Sequence, residues 1–276
     1  MSGMLLEVRA AGKTFSRHGE QVAAVKSMSF SLPLKQPRLV TLAGESGCGK
    51  STLAMMVLGF LPPSSGQILF HGEDIYQTRG ATLRRFRREV QAIFQNPFEV
   101  FNPFYRIDHA FDLVVRQLGL PRAAPETSRM VRDALSRVQL DPDSVLGRYP
   151  HQLSGGQLQR ISIARVVLLR PEILVADEPV SMIDASLRLV VLRQLVDLKE
   201  RLGISILYIT HDLSTALQIS DEVFIAHQGS IVERGSARAV IEHPQHEYTR
   251  LLVASIPVPD PRERWMDAIG ASEHTL

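Results

Sequence analysis

A single cysteine, Cys48, stands in the 276 residues of this chain. One thiol closes no internal disulfide, completes no four-cysteine zinc site and holds no cysteine-ligated iron–sulfur cluster. Excess charge is lacking as well. The 31 Lys and Arg face 29 Asp and Glu, a net +2, which argues against a protein that lives on nucleic acid. Long apolar runs are missing too. The longest charge-free stretch, 51–72, is cut by Pro62-Pro63 and Ser64-Ser65-Gly66, and its apolar half is far shorter than the ~20 residues that cross a bilayer. The amino terminus, Met1-Ser2-Gly3-Met4-Leu5-Leu6-Glu7, places no basic segment ahead of an apolar one, so no signal peptide is expected. Neither an internal repeat nor a low-complexity segment is found. Any tie to a membrane is therefore expected to run through a partner protein.

The remaining composition, 45% hydrophobic and 22% charged, is that of an ordinary globular chain. Its length suits one large or two modest domains. Leu39–Ala43 is a short apolar run before a glycine-rich turn, and Thr52–Leu58 after it is apolar and poor in β-branched residues, which predicts strand, loop, helix. Ile173–Ala176 and Ile204–Ile209 read as buried parallel strands. Between Arg106 and Gln152 the strand signals vanish. Ile107, Ala110, Phe111 and Val114, then Met130, Val131, Ala134, Leu135 and Val138, recur at helical spacing, as in a helical insertion within an α/β domain. Gly229–Gly235 reads as a turn-rich separator before a C-terminal helical piece.

Gly44-Glu45-Ser46-Gly47-Cys48-Gly49-Lys50-Ser51-Thr52 fits G-x-x-x-x-G-K-[S/T] between a strand and a helix. Glycines let successive N–H groups converge on phosphate oxygens, and the following helix turns its positive end to the same anion. Lys50 adds a point charge at the β/γ-phosphates, and the Ser51 hydroxyl suits Mg²⁺. Cys48 reads as a small packing residue. Glu172-Ile173-Leu174-Val175-Ala176-Asp177-Glu178 is an apolar strand ending in two carboxylates, 127 residues beyond Lys50. Asp177 is placed to hold Mg²⁺ and Glu178 to polarise a water. Without the phosphate loop, the two acids would more simply cap a turn.

Leu153-Ser154-Gly155-Gly156-Gln157 ends 20 residues before Asp177 and opens an apolar helix, a second potential anion-binding helix end. With Leu158-Gln159-Arg160 behind it, this pentapeptide resembles the signature of the ABC ATPases, the nucleotide-binding subunits of ATP-binding cassette transporters. The resemblance runs from about Leu5 to Arg262. It implies an α/β phosphate-loop fold with a RecA-like core, an antiparallel β subdomain and an inserted α-helical subdomain. The cassette would span 1–235, the insertion about 105–165, and 236–276 would be an extension. It implies ATP and Mg²⁺ as ligands, and two cassettes paired head to tail, each ATP held between one phosphate loop and the other cassette's signature helix. By the same resemblance, Gln95 in Ile93-Phe94-Gln95 is the glutamine that reaches Mg²⁺ and the attacking water. Asp184 in Ser181-Met182-Ile183-Asp184 crosses the dimer interface, although the family more often has Ala-Leu before that Asp. His211 in Ile209-Thr210-His211-Asp212 contacts the γ-phosphate, and Phe15 in Lys13-Thr14-Phe15 stacks on adenine, with His18 as a nearby rival. The metal set would be Ser51, Gln95 and Asp177. The catalytic set would be Glu178, His211 and Gln95.

His243-Pro244-Gln245-His246-Glu247-Tyr248-Thr249-Arg250-Leu251-Leu252, then Ile256-Pro257-Val258-Pro259-Asp260-Pro261, is similar to the tail of oligopeptide, dipeptide and nickel importer ATPases, which usually carry Pro where Glu247 stands. That branch implies two membrane permeases, a second ATPase (identical or paralogous), a solute-binding protein, no nucleic acid, and a peripheral place on the cytoplasmic face of the inner membrane. The alternative is a soluble ABC ATPase acting on nucleic acid or ribosomes. Such proteins tend to carry a long coiled-coil insertion, whereas the 57 residues between Gln95 and Leu153 show no sustained heptads. Five arginines within Arg79–Arg88 are read as a solvated helix face, or alternatively as a contact surface for a partner.

Overall fold

The computed structural model describes residues 3–17, 20–121 and 124–255. Its strands are β1 (Met4–Arg17), β2 (Glu20–Pro33), β3 (Leu39–Ala43), β4 (Ser65–Phe70), β5 (Glu73–Asp74), β6 (Val90–Ile93), β7 (Ile173–Asp177), β8 (Ser205–Thr210), β9 (Glu222–His227) and β10 (Ser230–Ser236). They join in the order β5-β4-β1-β2-β10-β9-β3-β8-β7-β6. The β5–β4–β1–β2 end is antiparallel, whereas β9, β3, β8, β7 and β6 run parallel. Only the Ser230–Ser27 pairing joins β10 to β2.

The parallel centre is built from uninterrupted apolar runs because both faces are covered. Along β7 and β8, side chains alternate between two cores. Leu174, Ala176, Ile206 and Tyr208 face one, and Ile173, Val175, Leu207 and Ile209 the other. The helices are α1 (Lys50–Val57), α2 (Gly80–Glu89), α3 (Pro97–Val100), α4 (Ile107–Gln117), α5 (Pro125–Arg137), α6 (Pro142–Val145), α7 (Gly155–Leu169), α8 (Ala185–Leu202), α9 (Leu213–Ile219), α10 (Ala237–Glu242) and α11 (Glu247–Ala254). The stretch expected to be helical holds α4, α5, α6 and a 3-10 turn at Pro150–Gln152. Its Ile107, Phe111, Val114, Val131, Ala134 and Leu135 pack with α7 and α8 into the first core. Helix α2 buries Phe86 and exposes its arginines; Arg85 pairs with Glu172 and Arg88 with Glu89. Among the described residues no helix is long and apolar enough to cross a membrane.

One expectation fails here. Gly229–Gly235 is not a turn-rich separator but most of β10, antiparallel to β9. The turn is only Gln228-Gly229, both at positive φ (46° and 80°), between the paired His227 and Ser230. That two-residue geometry matches the twist of a hairpin. The strand carries no apolar run because it is half exposed and shifts register between Ile231 and Glu233, so two glycines around polar residues imitate a loop. The tail reading over 256–261, and His18, lie outside the described residues. A Cβ at Gly229 would sit 3.0 Å from the Lys26 backbone nitrogen. Gly229→Ala should therefore cost about 1–2 kcal/mol, read as a lower urea midpoint at unchanged slope.

Candidate functional site

The site begins with strand register. Ala43 pairs with Thr210, Asp177 with Ile209, and Ile93 with Ala176, all parallel. The segments after β3, β6, β7 and β8 therefore leave the sheet at one edge, the crevice where open α/β sheets bind ligands. Residues 44–52, Gln95, Glu178 and His211 all lie on those segments.

After β3, Gly44 is buried, Glu45, Ser46 and Gly47 are exposed, and Cys48 and Gly49 are buried again before α1. Cys48 belongs to the second core, as a packing residue should. Gly49 has φ +99°, and a Cβ there would lie 2.3 Å from the Ala24 carbonyl oxygen, so no side chain fits. Lys50 is buried, and its Nζ donates to the carbonyl oxygens of Gly44 (2.7 Å) and Glu45 (2.8 Å). Helix α1 has no side-chain cap and no acid in its first turn, so its leading N–H groups stay free for an anion. Thr52 is half-buried within α1.

Asp177 closes β7, and the Ser51 hydroxyl hydrogen-bonds its carboxylate. The other oxygen, Oδ1, is buried without a partner. Burial holds the Asp177 carboxyl above its ordinary pKa, with the Glu178 charge adding to the rise; the Ser51 bond and the Lys50 charge pull the other way. A carboxylate oxygen with an empty side, next to a hydroxyl, is the hard-oxygen donor set that Mg²⁺ prefers. Glu178 turns away from the strand at φ 46°, a left-handed conformation uncommon outside glycine. Its N–H donates to the Ile209 carbonyl at 2.9 Å, which holds the strained turn against β8. Its Oε1 lies 2.9 Å from Nδ1 of the half-exposed His211. Gln95 is exposed on the bend after β6.

The remaining predicted residues sit elsewhere. Phe15 is exposed on β1 with Lys13 Nζ 5.5 Å from its ring centroid. Its register partner is Val22, three residues from the Val25 side chain that borders Gly49. Ser154 caps α7 in a reciprocal box: its hydroxyl accepts from Gln157 N (3.2 Å), and Gln157 Oε1 accepts from Ser154 N (2.9 Å). Gly155 and Gly156 lie against Phe98, Met182, Ile183 and Leu187 rather than against Lys50. Asp184 begins α8 with its side chain uncommitted to capping, next to an exposed Met182 and a buried Ile183. Sequence reasoning used Tyr248 only as part of a tail motif, yet its hydroxyl accepts the Glu45 N–H at 2.9 Å.

A family model described as ABC transporter matches residues 25–181. The chain belongs to the ABC transporter family. It is accordingly an ATP-binding, ATP-hydrolysing cassette. A second model, oligopeptide/dipeptide transporter, C-terminal region, matches 232–276. A putative peptide import ATP-binding protein of Brucella ovis is 39% identical over 262 residues, covering 94% of this chain and 81% of that protein. A glutathione import ATP-binding protein of Pectobacterium atrosepticum is also 39% identical, over 92% of this chain and 40% of that longer one. Among solved structures, the dimeric cassette MJ0796 bound to ADP and phosphate superposes with TM-score 0.74 at 23% identity, covering 84% of this chain and 99% of that one. The cassette cbiO1 of Clostridium perfringens gives TM-score 0.73 at 26% identity, over 87% and 92%. These structures share the fold of the cassette.

The raised Asp177 pKa has a definite sign in stability. The folded chain binds that proton more tightly than the unfolded one, so the penalty is absent below the ordinary carboxylate range and grows as pH rises through the folded value. Asp177→Asn should raise the Tm of the nucleotide-free cassette at neutral pH by about 2–4 °C, by removing a largely desolvated charge. The gain should vanish in acid, and turnover should be lost at every pH.

Proposed function

We propose that this cassette is the ATPase subunit of a bacterial importer for oligopeptides, dipeptides or a related small solute such as nickel, an oligosaccharide or an opine. The observation that carries the ATPase site is the pairing of Glu178 with His211 beside Asp177, Ser51 and Lys50 at one sheet edge. The importer branch is supported by the match over 232–276 and by the import proteins that the chain resembles.

In the proposed mechanism Lys50 exchanges its two loop carbonyls for phosphate oxygens, and the open amides of α1 take the rest of the charge. Ser51, Asp177 and Gln95 would hold Mg²⁺, which supplies charge neutralisation at the phosphates. Glu178 orients a water and draws off its proton, while His211 steadies Glu178 and faces the γ-phosphate. Phe15 stacks on adenine. Ser154, Gly155, Gly156 and Gln157 of one cassette close the site of another, with Asp184 at the interface. Most of the rate then comes from positioning and fixed dipoles.

The partners in this reading are two permeases, a second cassette (identical or paralogous) and a solute-binding protein. Residues 1–235 form the cassette and 236–276 an importer-type extension. The chain then works peripherally at the cytoplasmic face of the inner membrane. Close after Gln95, Phe98 and Phe104 are exposed, and the exposed Tyr105 lines a cleft of about 280 Å³ with Val100, Phe101 and Leu113, a surface that suits a permease segment. Co-purification with two permeases should identify the complex, and recovery of ribosomes or DNA in their place would overturn the importer assignment.

Glu178→Gln should keep ATP binding, lower turnover about 10²–10⁴-fold and accumulate a closed, nucleotide-bound dimer on size exclusion. Normal turnover in that variant would sink the site. Lys50→Ala should weaken mant-ATP binding and turnover together.

A further inference from the structure

Helix α11 touches the phosphate loop. The two oxygens of Glu233, on β10, accept the N–H groups of Gln245 (2.8 Å) and His246 (2.9 Å) and so fix the turn ahead of α11. His246 Nδ1 then accepts the Tyr248 N–H at 3.1 Å, capping the helix. Helix α11 packs Tyr248, Leu252 and Val253 onto a small core that contains Ala43, the last residue of β3 before the loop. Tyr248 stacks on His227 with ring centroids 3.8 Å apart and 28° between planes, which aims its hydroxyl at the Glu45 N–H.

The peptide that this hydroxyl reaches is one of the two that Lys50 holds. The Gly44–Glu45 peptide unit gives its N–H to Tyr248 at 2.9 Å and receives Lys50 Nζ on its Gly44 carbonyl oxygen at 2.7 Å. One rigid plane therefore joins the tail to the lysine at the phosphate site. Burial raises the Tyr248 phenol above its ordinary pKa, so the group stays a neutral hydroxyl able to accept. Loss of that oxygen would leave the N–H without its partner and free the peptide plane to rotate, moving the carbonyl that sets the position of Lys50.

We propose that Tyr248 is a positioning residue for ATP. Its hydroxyl locks the Gly44–Glu45 peptide, and through it α11 sets the approach of Lys50 to the phosphates. This rests on the reading of Lys50 as a phosphate ligand.

The test is Tyr248→Phe in the full chain, which keeps the ring on His227 and removes only the oxygen. KM for ATP should rise about three- to tenfold, the scale of one neutral hydrogen bond, with kcat within twofold and Tm within a degree or two. Amide hydrogen exchange in the peptide spanning Gly44–Gly47 should quicken. Tyr248→Ala should raise KM further, and Tyr248→Trp should not restore it. An unchanged KM in Tyr248→Phe, or a lower Tm without a KM change, overturns the role. Lys50→Ala separates the two readings. If it loses ATP binding while Tyr248→Phe leaves KM unchanged, only the Tyr248 proposal falls. If Lys50→Ala binds and turns over ATP normally, the loop assignment falls and takes this proposal with it.

Discussion

Everything at the site depends on the register of three buried parallel strands. Ala43 opposite Thr210 and Asp177 opposite Ile209 bring the phosphate loop, the two carboxylates and the histidine to one edge. A slip of one residue would exchange the faces of β7, sending Asp177 and its neighbours to the wrong side of the sheet. The slip is forbidden by packing. Ile173 and Val175 fill one core while Leu174 and Ala176 fill the other, and each position is closed to water. The hydrophobic effect thus supplies the precision that a phosphate site needs, at a distance from any polar group that uses it.

The edge is held in an uncomfortable state. Asp177 keeps an oxygen buried without a partner, Glu178 sits at positive φ, and α1 begins without a cap. Each departs from what stability alone would select. Together they leave acceptors for a cation, donors for an anion and a carboxylate aimed away from its own strand. The covered sheet behind them holds this arrangement in place.

The glycine-flanked starts of α1 and α7 are finished differently. Helix α1 leaves its amides open, whereas α7 satisfies part of its own through the Ser154–Gln157 box and packs its glycines against the segment before α8. The first end leaves N–H groups open to an anion. The second has part of its donors already satisfied. The α11 tail adds a third support, bearing on the loop peptide opposite Lys50.

The strands β3, β7 and β8, the helical insertion and the nucleotide motifs were legible because each rests on local information. Apolar runs bounded by glycines or acids, helical spacing, and short motifs whose residue types suit phosphate and metal all lie within a few residues. The β9–β10 hairpin was misread because a half-exposed strand has no apolar run to announce it, and its Gln228-Gly229 turn is set by backbone angles. The sequence by itself determined the fold class and the motifs that the parallel strands carry to one edge. Only the tertiary structure decided that Glu178 turns toward His211, that Asp177 Oδ1 is left unpaired, and that Tyr248 meets Glu45 across 203 residues. Those facts depend on burial and on contacts between distant segments, which exist only after the sheet has closed over its two cores.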